Sequence, residues 1–205
     1  MKKYAITSGI FLGIMLIFLL NLGKWLDITE APVKSDIIVC LGGGDWHRYS
    51  KAVALFSKRY AKKEVMLLTG ADVTPEMKRR GIPDGRITDL KKHHSQIHYS
   101  YHPELSSTRE EVRFIKKFML EHHYQSALIV TDPPHSRRFS ILDRFISLPG
   151  DDGLAFNYVS SGVKWWHEDR YYENETARRY AFTELLKIPY NVLKLCCEEK
   201  NTNAQ

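Results

Sequence analysis

Thr131-Asp132-Pro133-Pro134-His135-Ser136-Arg137-Arg138 gathers an imidazole, a carboxylate and two guanidinium groups in one short stretch. A histidine can take or give a proton near neutral pH. Arginine can grip a phosphate or carboxylate through two parallel donors. Arg138 is three residues beyond His135 and shares its helical face. Asp132 is a candidate to orient the imidazole, and Pro133-Pro134 would stiffen the turn that carries it. The opposing reading is an exposed loop histidine among surface arginines.

Two further segments have the composition of a site. Gly42-Gly43-Gly44 lets the backbone approach a ligand closely, and a helix start just beyond it favours an anion. The segment is neither G-x-G-x-x-G, because Arg48 stands six residues after Gly42, nor a P-loop. A tight strand-to-helix turn explains the glycines equally well. Ser106-Ser107-Thr108-Arg109-Glu110-Glu111 opens a strong helical pattern. Ser107 and Glu110 have capping-box spacing, a structural task. Thr108 can offer a hydroxyl at that helix start, and Glu110 or Glu111 can act as a base or a metal ligand.

The elements that must hold these residues alternate. Apolar runs at 36–41, 65–69 and 127–131 read as buried strands, with weaker ones at 96–99 and 155–159. Helical periodicity covers 46–60, 107–122 and 137–146, with a short helix at 72–80. A last helix over 173–195 is expected to kink or break near Pro189. Repeated strand–helix–strand units predict an α/β, three-layer Rossmann-like domain with a mainly parallel sheet. The carboxyl ends of such strands are where ligands bind, and 131–138 falls at one of them.

A separate segment precedes this domain. Tyr4 to Gly23 contains no charged residue and would reach roughly 30 Å as a helix, the thickness of a bilayer core. It reads as one N-terminal transmembrane helix rather than a cleaved signal, because 21–26 offers no small-x-small site. Lys2 and Lys3 favour a cytoplasmic N-terminus, which puts the main domain outside the cytoplasm. The expected organisation is an anchor at 1–23, a linker at 24–35, the domain at 36–197 and a disordered tail at 198–205.

The chain has 205 residues and a net charge of +6, carried by short scattered clusters. These read as solvated surface and not as a nucleic-acid interface. The three cysteines give neither a disulfide framework nor zinc spacing, and the nine histidines show no metal-ligand order.

Taken in order, these pieces resemble the YdcF-like family, which includes the SanA and ElyC envelope proteins. The resemblance rests on 36–44 with Arg48, on Leu68-Thr69-Gly70, and on 106–111. It continues through Thr131, His135 and Arg138 to Glu184 and Lys187 with Tyr190. The stretch between Gly70 and Gly81 departs from the pattern, being short and poor in glycine and serine. The resemblance implies a membrane-anchored domain facing the periplasm and a role in envelope, peptidoglycan or lipid-carrier metabolism. On that basis Gly42, Gly43, Gly44 and Arg48 would hold a phosphorylated ligand, with Thr108 nearby and Arg138 clamping it. His135 would be the acid or base, oriented by Asp132 or Glu110, and Glu184 and Lys187 would close the pocket. The ligand would be a phosphorylated small molecule or a lipid-linked intermediate, hydrolysed or transferred. The alternative is a non-catalytic binding or regulatory module for a nucleotide-like metabolite or a protein partner.

Overall fold

The computed structural model describes residues 2–43 and 46–202. Gly44, expected in the glycine turn, lies outside the described residues.

Strands β1 (Ser35–Cys40), β2 (Ala61–Thr69), β3 (His98–His102), β4 (Ser126–Thr131) and β5 (Ala155–Ser160) form one sheet in the order β3-β2-β1-β4-β5. All four pairings are parallel. Parallel pairing follows from the helices between the strands, which return the chain to the same sheet edge each time. Six of these lie between strands or close the fold: α2 (Trp46–Ser57), α3 (Pro75–Arg79), α4 (Gly85–His93), α5 (Thr108–Glu121), α6 (Pro133–Phe145) and α7 (Glu175–Thr202). The strand order reverses between β1 and β4, a topological switch point.

Alternation along β1 explains the three layers. Ile37, Val39 and Leu41 pack with Val112, Ile115 and Met119 of α5 and with Phe139 and Leu142 of α6. Ile38 and Cys40 face the other way, onto Tyr49, Ala52, Val53 and Leu55 of α2 and Leu90 of α4. Successive strand residues point to opposite faces, so a strand buried on both sides reads as a continuous apolar run.

Helix α1 (Lys2–Leu26) contains an apolar window, Gly9–Leu26, of mean hydropathy 1.9, long and apolar enough to cross a membrane. Its last turn does not dangle. Leu22 and Leu26 are fully buried with Trp166, Tyr171, Ala177, Ala181 and Ile188. Residues 24–35, expected as a linker, are held down as well. Glu30 N–H donates to the Tyr158 carbonyl (2.8 Å), and Val33 N–H donates to Asn157 Oδ1 (3.2 Å).

Other boundaries moved for identifiable reasons. Helix α6 begins at Pro133, four residues before its expected start. Proline is tolerated at the first helical position, where its missing N–H would have no partner anyway. Helix α4 falls in a charged stretch with little apolar periodicity and was not anticipated. Helix α7 is continuous through Pro189 and carries on to Thr202, into the polar segment expected as a tail.

Candidate functional site

The three segments singled out in the sequence converge. Gly42 and Gly43 after β1, Ser107 and Thr108 at the start of α5, and His135 and Arg138 on α6 line one cleft of about 1050 Å³. It sits over the carboxyl ends of the strands at the switch point. Helix α7 forms its outer wall with Thr176, Arg179, Tyr180, Thr183, Glu184, Lys187 and Tyr190.

The glycine turn is shaped by its own neighbours. A Cβ on Gly42 would lie 2.5 Å from the Thr69 carbonyl oxygen and 2.6 Å from the Gly70 Cα, so no other residue fits there. Gly43 has φ of +67°, in the left-handed region that favours glycine. Gly42 N–H donates to Glu111 Oε1 (3.0 Å), and the Thr69 hydroxyl donates to the same oxygen (2.6 Å). Glu111 is therefore the acidic residue of the α5 start that reaches the cleft. Glu110 is not: it closes the capping box with Ser107 and also accepts from Ser106.

Two ion pairs make the floor, Arg48 with Asp132 fully buried and Arg138 with Glu184 partly so. Arg48 donates to the Gly42 carbonyl (2.5 Å) and to Asp132 Oδ2 (2.6 Å). Asp132 Oδ1 accepts from the Ser161 hydroxyl (2.6 Å), so both of its oxygens are engaged away from the imidazole. Arg138 places Nε and a terminal nitrogen on the two oxygens of Glu184 (2.6 and 3.1 Å) and donates its other terminal nitrogen to Thr108 Oγ1 (2.6 Å). The guanidinium fork expected to clamp a ligand thus already holds an internal carboxylate. In this pairing Glu184 fixes Arg138, and Thr108 acts as an acceptor.

The carboxylate next to His135 is Glu184, 3.5 Å from Nδ1, in place of the expected Asp132 or Glu110. That separation does not satisfy hydrogen-bond geometry, and His135 Nδ1 is buried without a partner. Arg48 Nε and Thr131 Oγ1 are buried and unpartnered beside it. Such groups are costly inside a protein and mark a place where structure gives way to another requirement.

Burial, helped by the Arg138 charge, pushes the His135 imidazole down to about 4, so it is neutral at physiological pH. Burial alone would push Glu184 up, but its neighbours hold it well below the usual carboxylate range. Those neighbours are His135, which is protonated in the acid range where Glu184 titrates, and the Arg138 guanidinium. Burial also pushes Asp132 up, and Arg48 with Ser161 outweighs it and keeps the group low. Glu111 goes the other way: burial raises it despite the Thr69 and Gly42 bonds.

These directions give a pH test. The folded protein refuses a proton on His135 that the unfolded chain accepts below pH 6.5. Stability present above pH 6.5 is therefore lost as pH falls towards 4, by about 2–3 kcal/mol at pH 4.5. Asp132 and Glu184 add losses of the same sign at lower pH. Glu111 contributes with the opposite sign, its stability present below the ordinary glutamate value and lost as pH rises. Thermal unfolding of the parent and of His135→Gln at pH 7 and pH 4.5 should show a smaller pH-dependent drop in the variant.

The floor is close to charge balance, because Arg48 offsets Asp132 and Arg138 offsets Glu184. Positive charge is concentrated at the mouth, where Lys78, Arg179 and Lys187 are exposed. Lys187 Nζ lies 4.0 Å from Glu184 Oε1. Lys78 and Arg179 were missed in the sequence, and of the α7 wall only Glu184 and Lys187 were expected; Thr176, Tyr180, Thr183 and Tyr190 join them. The signal available was the spacing along α7: 176, 180, 183, 187 and 190 fall on one helical stripe. Among the described residues no group of three or more His, Cys, Asp and Glu is placed to hold a metal ion.

The arrangement can attract an anion to its mouth and present it with a neutral imidazole and a protonatable carboxyl. No family model, curated protein or solved structure matches this chain.

Proposed function

We propose that this protein is a membrane-anchored cell-envelope protein of the YdcF-like type that binds a phosphorylated ligand, a small molecule or a lipid-linked intermediate, in the switch-point cleft. The observation that carries this reading is one large cleft with cations at its mouth and, in its wall, an imidazole whose buried Nδ1 has no hydrogen-bond partner. The resemblance in sequence adds support, because Gly42, Gly43, Arg48, Thr108, His135, Arg138, Glu184 and Lys187 all line that cleft. Lys2 and Lys3 together with α1 support a domain held outside the cytoplasm.

In the hydrolytic form of this reading, water attacks phosphorus and His135 takes its proton as the new P–O bond forms. The P–O bond to the leaving group breaks, and Glu111, kept protonatable by burial, supplies a proton to the departing oxygen. A second reading, a binding module without turnover, is favoured by one observation. Arg48 and Arg138, the groups best suited to stabilise transferring phosphoryl charge, are committed to Asp132 and Glu184.

The test is mass spectrometry of whatever co-purifies with the detergent-solubilised full chain, followed by binding and turnover of that compound. A phosphorylated compound should be found, and Arg179→Ala with Lys187→Ala should weaken its binding. His135→Gln should bind it within a few-fold of the parent. In the enzymatic form the same variant should lose about 10²–10⁴ in turnover. Absence of turnover in the parent selects the binding module. Failure to recover any phosphorylated compound, with no thermal shift by inorganic phosphate, overturns both readings.

A further inference from the structure

The domain is bolted to α1 at one particular edge. The Tyr171 hydroxyl donates to the Leu19 carbonyl (2.6 Å), and Arg137 Nε donates to the Trp25 carbonyl (2.6 Å). Ile28 N–H donates to Ser136 Oγ (3.0 Å), and Trp166 Nε1 donates to Asp27 Oδ2 (2.9 Å). A Cβ on Gly23 would sit 2.1 Å from the Glu168 carbonyl oxygen, so helix and loop are in direct contact there. Ser136 and Arg137 lie in the first turn of α6, and Trp166 to Tyr171 follow the end of β5. All of them belong to the carboxyl edge of the sheet. From Leu26 the chain then passes Tyr158 and Asn157 in that order to reach the start of β1, running from the carboxyl edge to the amino edge. Helix α1 therefore enters the domain at the carboxyl edge, the edge that bears the cleft.

Helix α7 lies across that edge. Glu184 is bonded to Arg138 near the start of α6, and Asn191 Oδ1 accepts from Arg109 at the start of α5 (2.9 Å). Its inner face is thus turned to the domain and, through Ala177, Ala181 and Ile188, to Leu22 and Leu26 at the end of α1, which leaves an outer face beside the point where α1 enters. On that outer face Phe182, Leu186, Tyr190 and Leu193 form an exposed apolar stripe, with Leu186 72% and Leu193 66% exposed. Arg178, Arg179, Lys187 and Lys194 flank it. Apolar side chains bordered by cations are the composition of a helix lying in a lipid interface with anionic headgroups.

We infer that the outer face of α7 rests on the bilayer that α1 crosses, so that the cleft mouth opens at the level of the lipid headgroups. The inference rests on α1 being a membrane anchor and deepens the proposed function: an anionic ligand would enter from the headgroup layer. Tyr190 and Lys187 belong to both surfaces, the stripe or its flank and the cleft.

The test is spin-label accessibility in the full chain, with Cys196→Ser and Cys197→Ser as background, in vesicles of phosphatidylethanolamine and phosphatidylglycerol. Single labels are placed through Leu186→Cys, Leu193→Cys, Leu16→Cys and Lys62→Cys. The Leu186 and Leu193 labels should be several-fold more accessible to oxygen than to a water-soluble nickel chelate, as Leu16 should be. Lys62, at the amino edge, should show the reverse. If the α7 labels behave like Lys62 while Leu16 reports lipid, the anchor stands and this inference is overturned. If Leu16 reports water, the anchor reading falls and takes this one with it. Dipolar broadening at Leu186 that spin dilution removes would assign the stripe to a second copy of the chain, and would equally overturn the inference.

Discussion

Arg48→Met should destabilise the domain by about 3–5 kcal/mol, because it leaves the Asp132 carboxylate buried without its counter-charge. For a domain of this size that is a fall in melting temperature on the order of 10 °C. The pair is well sealed: the Arg48 and Asp132 side chains are only 5% and 4% exposed. The Gly42 carbonyl would lose its donor in the same variant, which adds an unmet acceptor beside the glycine turn. Asp132→Asn in the Arg48→Met background should recover a large part of the loss, since it removes the stranded charge and keeps a partner for Ser161. Calorimetry of the two singles and the double gives the coupling directly. Simple additivity of the two changes would mean that the ion pair does not hold the turns after β1 and β4 together.

Glu184→Leu should cost less, about 2–3 kcal/mol, because the stranded Arg138 is partly exposed to the cleft and keeps its bond to Thr108. It should also move the imidazole. Glu184 is the group that raises His135 against burial and the Arg138 charge. Its removal should push His135 lower still, visible in NMR as a titration midpoint moved to lower pH, or as no titration before the protein unfolds. Arg138→Leu combined with Glu184→Leu should restore most of the stability, because the double change leaves neither charge buried. The gentler Glu184→Gln should leave the cleft one charge more positive. It should therefore bind inorganic phosphate at least as well as the parent while melting lower. Tighter phosphate binding with unchanged melting would show that the pair has no structural share.

Paired internally like this, the two arginines explain why a residue list read from sequence is an uneven guide to roles. The residue types, their order and their placement at strand ends were all legible, and the cleft collects most of them, Glu110 and Asp132 excepted. What each one touches was not. Asp132 is three residues from His135 in the chain, yet its two oxygens serve Arg48 and Ser161, which arrive from α2 and the end of β5. Glu110 and Glu111 are adjacent and chemically alike. A helix turns about 100° per residue, so one falls on the capping side and the other under Gly42. Sequence spacing could place a carboxyl at that helix start but could not choose between them without knowing which face meets the sheet.

The α/β alternation, the parallel sheet, the capping box at Ser107 and Glu110, and the apolar helix at the start could all be read from the order of residues. Each is written in periodicity or local hydrogen bonding, which act over a few residues. Which carboxylate pairs with which guanidinium, that His135 is sealed and neutral, and how far along α7 the cleft wall extends are set by the packed fold. It also decided that residues 24–35 clasp the domain. Those outcomes depend on burial and on contacts between segments dozens of residues apart, and a buried charge takes whichever partner the packing brings within reach.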